Sequence, residues 1–106
     1  MSAPVHQNRR ALSATELVTQ LSKLNGENAL GWRFINSALE KTFKFKNFYE
    51  TLAFVNALAF IVHAEDHHPE LTLCYGQCTV RFNTHDVSGI SASDFFCAAK
   101  VDGLLV

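Results

Sequence analysis

The apolar residues switch from odd to even numbers once within residues 71–84, and this switch constrains the fold more than any other pattern in the chain. The apolar residues of the segment are Leu71, Leu73, Tyr75, Cys78, Val80 and Phe82. A two-residue type II′ turn at Gly76-Gln77, with glycine supplying the positive φ, would bring all of them onto one face of a sheet. The predicted pairs are Tyr75–Cys78, Leu73–Val80 and Leu71–Phe82. We therefore predict an antiparallel hairpin, in which Cys74 and Cys78 lie on opposite faces and are poorly placed to share a metal.

A second hairpin is predicted nearer the N-terminus. Residues 39–46 alternate with the period of two that is expected of a strand with one buried face. A short strand candidate over residues 31–35, which contains Trp32 and Phe34, comes before this segment, and Asn36-Ser37 separates the two. We therefore expect the two segments to pair.

Capping signals predict where two helices begin. Ser13 and Glu16 have the spacing of a capping box, so a first helix is expected over about residues 14–24. Ser91 and Asp94 have the same spacing before an apolar segment. They predict the start of the last helix, with Ser91 as its N-cap.

The middle helix, residues 47–64, is apolar on more than one side. One stripe recurs at spacings of three and four and is expected to pack on the sheet: Phe48, Leu52, Val55, Ala59 and Val62. Further apolar residues widen the surface beyond that stripe: Phe54, Leu58, Phe60 and Ile61. A helix of this kind is buried on two sides or faces a subunit partner. We therefore expect a homodimer or homotetramer formed through this helix or through the sheet.

The elements follow the order helix, two strands, helix, two strands, helix. Two hairpins joined in this way predict an α+β fold with two layers, a four-stranded antiparallel sheet with three helices packed on one face. Residues 12–106 are predicted to form this single domain. Residues 1–11 are polar and basic, and we predict that they form a flexible N-terminal tail.

Composition argues against several classes of function. A chain of 106 residues with 48% hydrophobic residues has room for one compact domain. Its net charge of -1 gives no electrostatic footprint for nucleic acid. No segment reaches the roughly 18 consecutive apolar residues that span a bilayer, and the N-terminus lacks the apolar core of a secretory signal. Three irregularly spaced cysteines argue against a disulfide framework. We therefore expect a cytoplasmic protein that binds neither nucleic acid nor membrane.

Three of the five histidines are predicted to meet at one point of the fold. His67 and His68 lie at a surface junction between the middle helix and the third strand, where Pro69 restricts His68 to extended geometry. His85 follows the fourth strand, whose end returns to the start of the antiparallel third strand. Because imidazoles exchange protons near neutral pH, this convergence predicts proton-transfer chemistry or a metal site.

The metal site is the secondary interpretation. His63 and His67 are four residues apart and His85 could be a third ligand, but the segment has no His-Glu-x-x-His arrangement. Pro69 also opposes continuation of the helix through these positions. Nucleophilic catalysis is weaker still, because no cysteine or serine is tied to a histidine by its spacing. For Asp94, helix capping is at least as well supported as a direct role in chemistry.

A combination of motifs identifies a family. Its parts are Phe45-Lys46-Asn47-Phe48, Ala64-Glu65-Asp66-His67-His68-Pro69-Glu70, Tyr75, Thr84-His85-Asp86, Gly89-Ile90-Ser91 and Asp94. The His-His-Pro block, a tyrosine six residues after the proline, a histidine ten residues later and an aspartate nine beyond that form a specific signature. With these residues, the chain resembles the pterin-4a-carbinolamine dehydratase family over about residues 30–104.

The resemblance implies dehydration of 4a-hydroxytetrahydrobiopterin, or a related 4a-hydroxytetrahydropterin, to the quinonoid dihydropterin and water. That reaction recycles the cofactor of aromatic amino acid hydroxylases such as phenylalanine hydroxylase, so a functional link to such a hydroxylase is expected. The elimination needs an acid for the hydroxyl at C4a and a base for the proton on N5. It requires no metal or redox cofactor.

The resemblance also implies roles for individual residues. His67 and His85 correspond to the acid/base pair, and His68 to a residue that binds and orients the substrate. The family often has a glutamate four residues before the first histidine of the pair; His63 occupies that position here, and Glu65 lies nearby. The catalytic candidates are therefore His67, His68 and His85. The candidate substrate-binding residues are His63, Glu65, Pro69, Thr84, Asp86 and Asp94.

Two alternatives come from other classes of protein. One is a non-catalytic dimerisation or interaction module that uses the apolar face of the middle helix, and the other is a His-rich metal-binding domain. Retention of all three signature histidines favours the enzyme, because a scaffold has no need of them.

Overall fold

The structure is a computed structural model that describes residues 10–28 and 30–105, and it contains one antiparallel sheet of four strands. The helices are α1 (Ala14–Asn25), α2 (Phe48–Glu65) and α3 (Ala92–Asp102), and the strands are β1 (Arg33–Ile35), β2 (Ala38–Lys44), β3 (Glu70–Cys74) and β4 (Gln77–Phe82). The strand order is β1-β2-β4-β3, and the helices lie on one side of the sheet. The predicted α+β fold is therefore confirmed. Residues 1–9 of the predicted tail lie outside the described part of the chain, in which no helix has the length and apolar character of a membrane span.

Hydrogen bonds at the predicted caps fix where α1 and α3 begin. The side chain of Ser13 accepts from the N–H of Glu16 at 3.2 Å, and the Glu16 carboxylate accepts from the N–H of Ser13 at 2.9 Å. At α3, the N–H of Ser91 donates to the Asp94 carboxylate at 2.9 Å. Each bond satisfies a backbone group that the first turn of a helix leaves without an intrahelical partner.

The face of α2 that packs on the sheet matches the predicted one only in part, since Val62 is buried and Val55 packs against the core. The buried residues of α2 are Thr51, Phe54, Leu58 and Val62, whereas Phe48 and Leu52 are 40% and 36% exposed. Spacing could not identify the buried face, because α2 is apolar on nearly every side. Thr51 is the single polar residue among the buried residues of α2. Its hydroxyl lies within hydrogen-bond distance, 2.9 Å, of the carbonyls of Asn47 and Tyr75, so its hydrogen-bonding capacity is met inside the protein.

The N-terminal hairpin forms as predicted. Ile35 pairs with Ala38 across the turn residues Asn36 and Ser37. Both turn residues have positive φ angles, 48° and 65°. Positive φ at both central positions is the signature of a type I′ turn, whose twist matches that of the paired strands.

The β3–β4 hairpin has a different turn from the predicted one. Leu71 pairs with Val80 and Leu73 with Cys78, so the turn residues are Tyr75 and Gly76. The φ of Gly76 is not positive, and the type II′ prediction at Gly76-Gln77 was therefore wrong. The carbonyl of Gly76 accepts from the N–H of Phe45 at 2.8 Å, a long-range contact that no local pattern reveals. Tyr75, predicted to pair with Cys78, lies in the turn instead. Both registers place odd positions opposite even ones, so the other predicted residues keep their shared face, and Cys74 and Cys78 still lie on opposite faces.

The same register brings the two histidine-bearing segments together. Glu70, the first residue of β3, pairs with Arg81 near the end of β4. His67 and His68 come just before β3, and His85 comes shortly after β4. The two segments therefore meet at one end of the sheet.

Candidate active site

Three histidines line one cavity of about 280 Å³ at this end of the sheet. His67 and His68 come from the junction between α2 and β3, and His85 comes from a 3₁₀ turn, His85–Val87. The other lining residues are Asp66, Asn83, Thr84 and Asp86. The cavity is close to the lower end of the roughly 300–1,000 Å³ range of small-molecule sites. The fold thus produces the convergence that antiparallel pairing predicts.

His67 differs from the other two histidines because it is buried. Its side chain is 6% exposed, whereas His68 and His85 are open to solvent. Asp66 ends α2 in a left-handed conformation with a φ of 51°, which turns the chain inward at His67. The His67 ring lies parallel to the ring of Phe82, with 6.1 Å between centroids. The expected surface position of His67 was therefore wrong, and truncation of this residue is expected to affect folding as well as chemistry.

A fully buried carboxylate holds His67 in place. Asp94 is 0% exposed, and its Oδ1 lies 2.5 Å from Nε2 of His67. Its Oδ2 accepts from the Thr84 hydroxyl at 2.8 Å and from the backbone N–H of Ser91 at 2.9 Å. Asp94 therefore caps α3, as predicted, and also contacts His67. Because Asp94 is fully buried, it can affect chemistry in the cavity only through the side chains that it binds.

The remaining candidates occupy different positions relative to the cavity. Thr84 and Asp86 line it together with the three histidines. His63 lines a neighbouring concavity of about 780 Å³ along α2. Glu65 and Pro69, both among the described residues, lie outside the lining of these two cavities. The position four residues before His67, where the resemblance implies a glutamate, thus carries an exposed imidazole that borders the adjoining space.

Some residues of the site were missed by reasoning from sequence. Asp66 and Asn83 line the cavity, and the available signal was that each directly precedes a candidate residue. Ser91 was predicted only as a helix cap, but its hydroxyl lies 2.6 Å from that of Thr84. This contact depends on the tertiary position of α3 and leaves no mark in residue spacing.

The geometry separates the residues of the proposed metal set. His63 is exposed on the last turn of α2, whereas His67 is buried beyond the end of that helix. Across residues 10–28 and 30–105, no group of three His, Cys, Asp or Glu side chains is arranged to hold a metal ion.

Known proteins resemble this chain over most of its length. A family model described as pterin 4 alpha carbinolamine dehydratase matches residues 10–104. A protein of Paracidovorax citrulli is 57% identical over 92% of this chain and 83% of its own length. A protein of Bdellovibrio bacteriovorus is 50% identical over 97% of this chain and 82% of its own length. The names of both assign them provisionally as pterin-4-alpha-carbinolamine dehydratases.

Two solved structures share the fold. A transcriptional coactivator/pterin dehydratase from Brucella melitensis matches with a TM-score of 0.81 and 28% identity, over 90% of this chain and 98% of that one. A pterin dehydratase-like protein identified as a RuBisCO assembly factor in the alpha-carboxysome matches with a TM-score of 0.61 and 26% identity, over 70% of this chain and 88% of that one. Because the family model covers nearly the whole described chain and relatives reach 57% identity, the chain belongs to the pterin-4a-carbinolamine dehydratase family.

Proposed function

We propose that this protein is a hydro-lyase that converts 4a-hydroxytetrahydrobiopterin, or a closely related 4a-hydroxytetrahydropterin, to the quinonoid dihydropterin and water. The observation that carries the proposal is the single cavity lined by His67, His68 and His85, in which His67 is held by the buried carboxylate of Asp94. Membership of the family supports the same reaction. The product is the form from which the cofactor of an aromatic amino acid hydroxylase is regenerated.

The proposed reaction moves two protons and breaks one bond. A proton is delivered to the hydroxyl on C4a, the C4a–O bond breaks, and water leaves. N5 loses its proton as the C4a=N5 double bond forms. Imidazoles suit both transfers because they donate and accept protons near neutral pH, and a positioned general acid or base contributes on the order of 10²- to 10⁴-fold.

The different environments of the three histidines support different roles. Since Nε2 of His67 is bound to Asp94, Nδ1 is the ring nitrogen through which His67 can exchange a proton with a ligand. The carboxylate fixes the ring and compensates the positive charge that forms during transfer. We assign the two proton transfers to His67 and His85. His68 borders both cavities and is assigned to binding and orientation.

Dehydration of chemically generated carbinolamine tests the proposal. Ultraviolet absorbance follows formation of the quinonoid product, and the purified protein is expected to accelerate it well above the rate in buffer. Protein dialysed against a chelator is expected to give the same rate, which separates this function from that of a metal-binding domain. A rate equal to that of buffer or of heat-denatured protein would reject the assignment.

A second candidate function, an interaction module, is favoured by an apolar surface that stays exposed among the residues that the structure describes. Phe48, Leu52 and Phe60 are exposed on α2, and Phe60 is 80% exposed. Leu71 and Leu73 are also exposed, on the edge strand β3. We propose that a second copy of this chain covers the surface, because an open antiparallel edge beside apolar side chains is self-complementary about a two-fold axis. The names of the two solved relatives describe a coactivator and an assembly factor, which are interaction roles for those proteins.

Charge on this surface is expected to shift the oligomer toward monomer. In Phe60→Lys and Leu73→Lys, the burial of a lysine ammonium at the interface would oppose association. Light scattering at micromolar concentration should give a dimer or tetramer for the unsubstituted protein and a lower mass for both variants. Val18→Lys is the matched control, since Val18 is 66% exposed on α1. A monomeric unsubstituted protein would contradict the prediction.

A further inference from the structure

Behind the cavity, four polar side chains form a continuous buried chain of hydrogen bonds. The residues are His67, Asp94, Thr84 and Ser91, with relative exposures of 6%, 0%, 2% and 0%. The successive distances are 2.5 Å from His67 Nε2 to Asp94 Oδ1, 2.8 Å from Asp94 Oδ2 to Thr84 Oγ1, and 2.6 Å from Thr84 Oγ1 to Ser91 Oγ. Bulk water does not compete for hydrogen bonds that are buried to this extent. The bonds are therefore stronger than exposed ones, and they fix the positions of the four side chains.

The number of available protons fixes the direction of the chain. A hydroxyl has one proton to donate, and that of Thr84 goes to Oδ2 of Asp94. The bond between the two hydroxyls must therefore run from the Ser91 O–H to Thr84 Oγ1. The donor series is Ser91 to Thr84 to Asp94, and it ends on the carboxylate that holds His67.

This arrangement selects one orientation of the carboxylate. Oδ2 of Asp94 accepts from two donors, the Thr84 hydroxyl and the Ser91 backbone N–H, so the group cannot turn without losing both bonds. Oδ1 then faces His67. With Asp94 as a carboxylate, Nε2 of His67 carries the hydrogen between them, which leaves Nδ1 as the second ring nitrogen.

We infer that the hydroxyls of Thr84 and Ser91 form a positioning relay, which fixes Asp94 and, through it, the ring orientation and tautomer of His67. The relay's effect on turnover rests on the proposed dehydratase function, whereas the tautomer is a property of the folded protein alone. In this relay Thr84 acts through Asp94, which is a role additional to the substrate binding expected of it from sequence. Helix capping does not explain its contact, since Thr84 lies seven residues before the N-cap of α3 and its hydroxyl is not needed for the cap.

The relay is tested by removing the Thr84 hydroxyl while keeping the shape of the side chain. Thr84→Val deletes the donor, and Thr84→Ser retains it. The matched control is Thr79→Val, because Thr79 also forms a hydroxyl pair, with Thr42 at 2.8 Å, on an exposed part of the sheet. Ring ¹⁵N shifts of His67 report its tautomer, and steady-state dehydration reports kcat and KM separately.

The unsubstituted protein, Thr84→Ser and Thr79→Val are expected to show His67 with hydrogen on Nε2. Thr84→Val is expected to show a mixture of tautomers and a kcat lower by about 10- to 100-fold, with KM changed by less than about twofold. If Thr84→Val does not fold, Ser91→Ala removes the outer hydroxyl, which is also the side chain at the N-cap of α3. It should show the same change of tautomer at smaller size, and a Ser91→Ala protein that keeps the original tautomer would count against the relay.

Some outcomes would overturn the relay. A Thr84→Val protein with the original tautomer and kcat would do so, as would equal losses in Thr84→Ser and Thr84→Val, because the hydroxyl would then be irrelevant. If the unsubstituted protein does not accelerate dehydration, the proposed function fails by itself. The ¹⁵N comparison would still decide whether the relay sets the tautomer of His67.

Discussion

The His85→Ala variant is expected to lose on the order of 10²- to 10⁴-fold in kcat for dehydration, the size of a general acid or base contribution. His85 lines the cavity and is open to solvent, so its truncation removes a proton carrier without leaving a hole in the core. The thermal midpoint should therefore stay close to that of the unsubstituted protein. Stopped-flow absorbance with chemically generated carbinolamine provides the rate.

Exposure of His85 also allows chemical rescue. Free imidazole in the buffer can reach the vacated position and should restore part of the lost rate in His85→Ala. Lys44→Ala is the control, because Lys44 is an exposed residue of β2 outside the cavity. If kcat for His85→Ala stays within about threefold of the original value, His85 is not part of the proton-transfer pair, because a threefold loss is far smaller than the contribution expected of a general acid or base.

Features decided within a few residues could be predicted from the sequence. The starts of two helices were predicted from the pairs Ser13–Glu16 and Ser91–Asp94. This was possible because each cap involves only one turn of backbone. The alternation in β3 and β4 gave the correct faces even though the predicted turn was wrong. The face on which a side chain of β3 or β4 lies depends only on whether its position is odd or even. The register between these two strands also depends on the long-range hydrogen bond from the N–H of Phe45 to the carbonyl of Gly76.

Features decided by tertiary packing could not be predicted in the same way. The apolar residues of α2 fit either face, and the face that packs on the sheet is the one with Phe54 and Leu58. Topology alone predicted that His67, His68 and His85 would converge. The burial of His67 requires the left-handed end of α2, and its partner Asp94 is 27 residues away in the chain. The sequence therefore predicted which histidines meet, but not which one the protein holds rigidly.

Asp94→Ala is expected to lower the free energy of unfolding by about 3–5 kcal/mol, because each buried donor left without its acceptor costs roughly 1–3 kcal/mol. Loss of the Asp94 carboxylate leaves three buried donors without their acceptor inside the protein. They are Nε2 of His67, the Thr84 hydroxyl and the Ser91 N–H. Small domains have roughly 5–15 kcal/mol of stability in total, so a large fraction would be lost. Urea denaturation at constant pH measures the change, and a loss below about 1 kcal/mol would contradict the importance of the network.

Asp94→Asn separates the chemical role of this carboxylate from its structural role. The amide oxygen can still accept from Thr84 and Ser91, but the amide nitrogen then donates toward Nε2 of His67 and favours the opposite tautomer. We expect most of the stability to remain while kcat falls by on the order of 10²-fold or more, because the imidazole is held in the wrong protonation pattern. Asp102→Asn is the control in the same helix, since Asp102 binds Trp32 and Lys41 away from the cavity. It should lose stability with little change in kcat, and an unchanged kcat in Asp94→Asn as well would mean that the carboxylate serves only the fold.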